Sequence, residues 1–149
     1  MNATKQYHKA FSDIEKEPIK LVRQTIKDGL FKKEKTIEQK QNLIKDLHKN
    51  LSNFYNVEPI NIEFNKEYAD LVGIYGQFNA RNKTITLKNT SIVSYLHEFK
   101  HYLQHATQKE NNEDIAISWS ISLYYLATPK LCRNAIEKGL IAHQNVFIE

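Results

Sequence analysis

The chain reads as a small α+β domain: N-terminal helices, a three-stranded, largely antiparallel sheet, a motif-bearing helix and C-terminal helices. Three observations carry that reading. Apolar residues recur at helical spacing up to Val57, the period drops to two after Pro59, and helical spacing returns from Thr90 onward. A length of 149 residues suits one domain, with a helical part over residues 1–57 and a sheet and motif part over residues 58–149.

The elements follow in order. Pro18 fits the first turn of a helix that carries Ile19, Val22 and Ile26 on one face, and Gly29 can end it. Thr36 offers an N-cap, and Gln39 three positions later completes a capping box. That box opens a helix over about Ile37 to Tyr55, with Ile37, Ile44, Leu47, Leu51 and Phe54 on its apolar face. Ile60, Ile62 and Phe64 alternate with polar residues, the pattern of a half-buried strand. Gly73 to Phe78 and Lys83 to Lys88 form two further strands. The turn-like Asn79-Ala80-Arg81-Asn82 between them predicts an antiparallel hairpin. A helix from Thr90 or Ser91 to about Thr107 comes next, then a polar loop over Gln108 to Asn112. The helix Glu113 to Leu126 is almost wholly apolar and is expected to be buried. Pro129 and Gly139 bracket a last short helix.

Composition narrows the function classes. The apolar share of 41% and charged share of 26% exclude a low-hydropathy disordered chain. No stretch approaches the roughly 18 apolar residues of a membrane span, and charges interrupt the N-terminus where a signal peptide would need an apolar run. A cytoplasmic protein is expected. The single cysteine, Cys132, excludes a disulfide framework and a cysteine-built zinc ribbon. The net charge of +4 invites a nucleic-acid reading, but the excess is local. Met1 to Val57 carries 12 basic against 7 acidic residues, while the remainder carries 9 against 10. Glu15, Glu17, Glu34, Glu38 and Asp46 dilute every basic run, as solvated helix faces do. A non-catalytic, zinc-stabilised module that binds nucleic acid or protein through these basic helices is therefore the second reading, not the first.

The first reading comes from His97-Glu98-Phe99-Lys100-His101, an HExxH sequence. Two histidines one helical turn apart project from one face and can hold one Zn²⁺. Ile92, Leu96, Phe99 and Leu103 form an apolar stripe nearly opposite them. Glu98 lies about 100° around the helix from His97, where it can serve as a base for a water at the metal. A third ligand is needed. His105 lies about 12 Å along an unbroken helix from His97, too far to share one ion. Gln104 and Thr107 stand where a metzincin pattern would want glycine and a ligand, so that class is excluded. A carboxylate opening the next helix remains, with Glu113 the first choice and Asp114 the second. Acidic residues at a helix N-terminus also have an ordinary explanation in the macrodipole.

Strand, connecting turn, HExxH helix and downstream Glu-bearing helix together resemble a minimal zincin metallopeptidase of the gluzincin type. The closest flavour is the small ImmA/IrrE-like and mobile-element zincin group. The resemblance spans Pro59 to about Thr128. It departs from the family's habit at one point, since the ligand Glu usually stands directly before an Ala and Glu113 is followed by Asp114 and Ile115. The resemblance implies a hydrolase acting on protein or peptide, with Zn²⁺ on His97, His101 and Glu113 and Glu98 as catalytic base. It also implies substrate added as a strand at the sheet edge, for which Lys83 to Lys88 is the expected strand. Oxyanion candidates are Tyr124, Tyr125 and His105. Trp119 reads as a core anchor, Cys132 as a packed thiol, and His8, His48 and His143 as surface or packing residues.

Overall fold

The computed structural model describes residues 14–108 and 111–141, so His8, His143 and the whole segment before Ile14 lie outside the described residues. Among those described are six α-helices and a three-stranded sheet. Helix α1 (Lys16–Thr25) runs into a π-helical turn, Ile26–Leu30, broken at Gly29 with φ 115°. A side chain there would enter the left-handed region and also strike Lys35, so glycine ends the helix as expected. Helix α2 (Ile37–Phe54) opens on the Thr36/Gln39 capping box, with both reciprocal bonds formed.

Strand β1 (Asn61–Phe64) is followed by a short helix, α3 (Lys66–Val72), which the apolar pattern does not announce because only Ala69 of it is buried. Asn65 caps it, accepting from the Tyr68 N–H, and Gly73 closes it in the left-handed conformation. Gly73 is thus a helix terminator, and strand β2 begins later, at Gly76–Asn79. Strand β3 (Thr84–Leu87) pairs antiparallel with β2, as the hairpin pattern predicts. It pairs parallel with β1, however, in the order β1-β3-β2. The sheet is therefore mixed and not largely antiparallel. The cause is the α3 connection, which starts where Asn65 donates to Leu87 and ends where Tyr75 accepts from Lys88. Both ends sit at the same end of β3, so the chain passes over it and returns on its far side.

Helix α4 (Ile92–Leu103) carries the HExxH sequence and is capped by Ser91. A π-helical turn, Gln104–Gln108, extends it. Helix α5 (Glu113–Ala127) packs along α4, and α6 (Pro129–Glu137) follows. The predicted stripe of α4 faces inward, with Ile92, Leu96, Phe99 and Leu103 all buried. Trp119 and Cys132 are buried too, and burial pushes the Cys132 thiol up to about 12, so it is a packed, inert group. Arg23 donates to the terminal carbonyls of Leu126 and Ala127, clamping α1 to the end of α5. No helix among the described residues is long and apolar enough to cross a membrane.

His48 is a packing residue with a specific task. Its Nε2 accepts the Ile60 N–H at 3.0 Å, which leaves the ring proton on Nδ1 to be donated to the Tyr95 hydroxyl at 2.8 Å. One buried ring thus ties α2 to α4 and to the approach to β1. Burial lowers the His48 pKa from 6.5 to about 4. The unfolded chain therefore takes up this proton first as pH falls. The stabilisation is complete above about pH 6.5 and is lost toward pH 4, a change of about 3 kcal/mol. Urea unfolding of wild type and His48→Gln between pH 7 and pH 4 checks this. The variant, which can make both hydrogen bonds without titrating, is expected to lose less stability over that interval.

Candidate metal centre

Three elements build the site. Helix α4 supplies His97 and His101, whose ring centroids lie 5.0 Å apart as one helical turn requires. The first residue of α5 supplies Glu113, and β2 forms the opposite wall. Glu113 Oε1 lies 2.5 Å from His97 Nε2 and 3.4 Å from His101 Nε2. One ligand atom from each of the three residues falls within 4.8 Å of the others. Donors held tetrahedrally about 2.0–2.1 Å from one zinc stand roughly 3.3 Å apart, so this two-nitrogen, one-oxygen set needs only small side-chain adjustment to fit. The two histidines are nearly buried, while Glu113 reaches in from the solvent side with 62% of its side chain exposed. Asp114 is not part of the cluster.

Glu98 is buried at the wall of the same cavity, with Oε2 4.0 Å from His97 Nε2. Burial raises its pKa to about 7, with a further contribution from the nearby Glu113 carboxylate. A hydrogen bond from the backbone N–H of Phe78 opposes both. Strand β2 therefore touches Glu98 at two points. The second is Gly76, where a Cβ would stand 3.0 Å from Glu98 Cγ and 3.1 Å from Leu87 Cδ2. The absence of a side chain at Gly76 makes room for the Glu98 carboxylate.

A cavity of about 640 Å³ runs along this face. Besides the site residues it is lined by Ile74, Tyr75, Phe78, Ala80, Val93 and His105. His105 packs its ring against Phe78, with centroids 5.7 Å apart. Tyr124 and Tyr125 do not line the cavity. Tyr124 is buried against Phe31, and the Tyr125 hydroxyl accepts from Arg133, because both stand three turns along α5 from Glu113, about 16–18 Å down the helix axis. The expected substrate strand is corrected as well. Lys83 to Lys88 contains β3, whose two edges are already paired, whereas β2 is the edge strand that borders the cavity.

Sequence reasoning passed over Gln104, treating it only as a missing glycine. Its side chain is fully buried. The Oε1 accepts from the Asn112 N–H at 3.2 Å and lies 3.2 Å from His101 Nδ1, while Nε2 donates to the Asn112 carbonyl at 3.0 Å. Asn112 in turn caps α5 by accepting from Ile115, immediately before Glu113. Nothing in the sequence marks these contacts, because the burial of Gln104 and its pairing with Asn112 arise only from the fold. Against known proteins, the chain matches no family model, no curated protein and no solved structure.

Proposed function

We propose that the protein is a zinc-dependent endopeptidase that hydrolyses peptide bonds of a protein substrate. The observation that carries this reading is the convergence of His97, His101 and Glu113 beside a buried Glu98 in a cavity walled by an edge strand. Zinc bound to the three residues would supply a Lewis acid that polarises a peptide carbonyl and makes a water acidic. Glu98 takes the proton of that attacking water and delivers it to the leaving amine. The Phe78 N–H and the space above Gly76 hold the Glu98 carboxylate for both transfers. The free edge of β2 offers main-chain groups to an extended substrate segment running past the site. The resemblance to the gluzincin-type zincins points to the same chemistry, and the fold beyond α+β is assigned to that class on this ground alone.

The test is cleavage of a mixture of unstructured peptides by the zinc-loaded protein, read by mass spectrometry as new termini. Cleavage within the peptides, abolished by a zinc chelator, is the expected result. Intact peptides after prolonged incubation with stoichiometrically loaded protein would overturn the enzymatic reading.

Gly76→Ala gives a finer check on Glu98. Its methyl group would crowd Glu98 and Leu87, displacing the carboxylate while leaving the three ligands untouched. Turnover is expected to fall about 10- to 100-fold, with zinc content unchanged. Wild-type turnover in this variant would show that the carboxylate's position above Gly76 does not matter.

A further inference from the structure

We propose that Gln104 is a positioning residue that pre-organises the metal centre, setting the tautomer of His101 with one atom and the place of Glu113 with both. The proposal rests on the metal reading given above. Its starting point is that the orientation of this buried amide is determined. The Asn112 backbone presents one donor and one acceptor to it, so only one way round pairs Nε2 with the carbonyl and Oε1 with the N–H. The flipped amide would set donor against donor and acceptor against acceptor in a site with no exposure.

With Oε1 fixed in this way, the atom facing His101 Nδ1 is an acceptor. Oε1 thus favours the tautomer with the proton on Nδ1 and the Nε2 lone pair available to a metal, against the Glu113 carboxylate, which lies 3.4 Å from Nε2 and favours a proton there when no metal is bound. Free imidazole side chains lack this constraint. The same amide grips both main-chain polar groups of Asn112, the N-cap residue of α5. Glu113 is the next residue, so its backbone is anchored to the helix that carries both histidines. One side chain thus links the two elements that must meet for three ligands to converge. Outer hydrogen-bond partners of this kind typically change metal affinity 10- to 100-fold when removed.

Two measurements test this. The first uses metal-free Glu113→Ala at pH 8, which removes the competing acceptor at Nε2, and reads the His101 tautomer from long-range ¹H–¹⁵N correlations of the ring. The proposal expects the Nδ1–H form, and an Nε2–H form overturns it. The second compares zinc affinity, by chelator competition, between wild type and Gln104→Met, which keeps the volume and removes the amide. A 10- to 100-fold weaker dissociation constant is expected, with the variant's His101 losing its Nδ1–H preference, an effect that general loosening of the fold would not single out. Affinity within twofold of wild type overturns the proposal. Should Gln104→Met fail to fold, the tautomer in Glu113→Ala alone decides. Wild type that binds no zinc overturns the metal reading itself, and the tautomer still reports whether Gln104 sets the ring.

Discussion

Glu98→Gln is expected to lower kcat by about 10²- to 10⁴-fold while leaving zinc at wild-type stoichiometry. The substitution keeps the size of a buried side chain and still offers an oxygen to the Phe78 N–H. What it removes is the ability to accept and return a proton beside His97. Peptide cleavage by the variant, measured at equal zinc loading, separates the roles. Activity within tenfold of wild type would reject Glu98 as the base. Loss of zinc would instead make it a ligand, in conflict with the cluster formed by His97, His101 and Glu113.

The second large effect is on stability. Phe99 is fully buried, and its ring meets those of His48, Tyr55, Tyr95, Tyr102 and Trp119. It therefore joins α2, α4 and α5 at the point where the motif helix is fixed to the core. Phe99→Ala removes a ring from a close-packed junction and is expected to cost about 3–5 kcal/mol, a large part of a small domain's whole stability. Leu71, by contrast, is 83% exposed on α3, and Leu71→Ala is expected to stay within about 0.5 kcal/mol of wild type. Urea midpoints of the two variants check the contrast. Similar losses in both would mean that burial around Phe99 does not control the fold.

The parts of this molecule that were legible in the sequence are those set by local spacing. Thr36 and Gln39 lie three residues apart, so the capping box and its helix could be read directly. His97 and His101 lie one turn apart, so their shared face followed from helical geometry alone. Asn79 to Asn82 marked a hairpin that the β2–β3 register bears out. Long-range pairings left no such trace. Nothing in the alternation of Ile60, Ile62 and Phe64 says that β1 lies parallel to β3, because strand direction is set by the connection between them. That connection contains α3, which buries only Ala69 and so shows no apolar stripe. The two polar residues that organise the interior were equally silent. His48 finds Tyr95 from 47 positions away, and Gln104 finds Asn112 across a loop. His48 read only as a surface or packing residue, and Gln104 only as a position without the metzincin glycine, until the fold brought each its partner. The separation of Glu113 from Asp114 also needed coordinates, because adjacent residues at a helix start point about 100° apart and only the packing of α5 on α4 selects one.

Zinc content by elemental analysis of the purified, metal-replete protein bears on all of this at once. We expect about one Zn²⁺ per chain in wild type and in Asp114→Asn, and none retained through chelator-free dialysis in His97→Ala or Glu113→Gln. Wild type without stoichiometric zinc, or His97→Ala with a full complement, would contradict the assignment of His97, His101 and Glu113 as a metal centre.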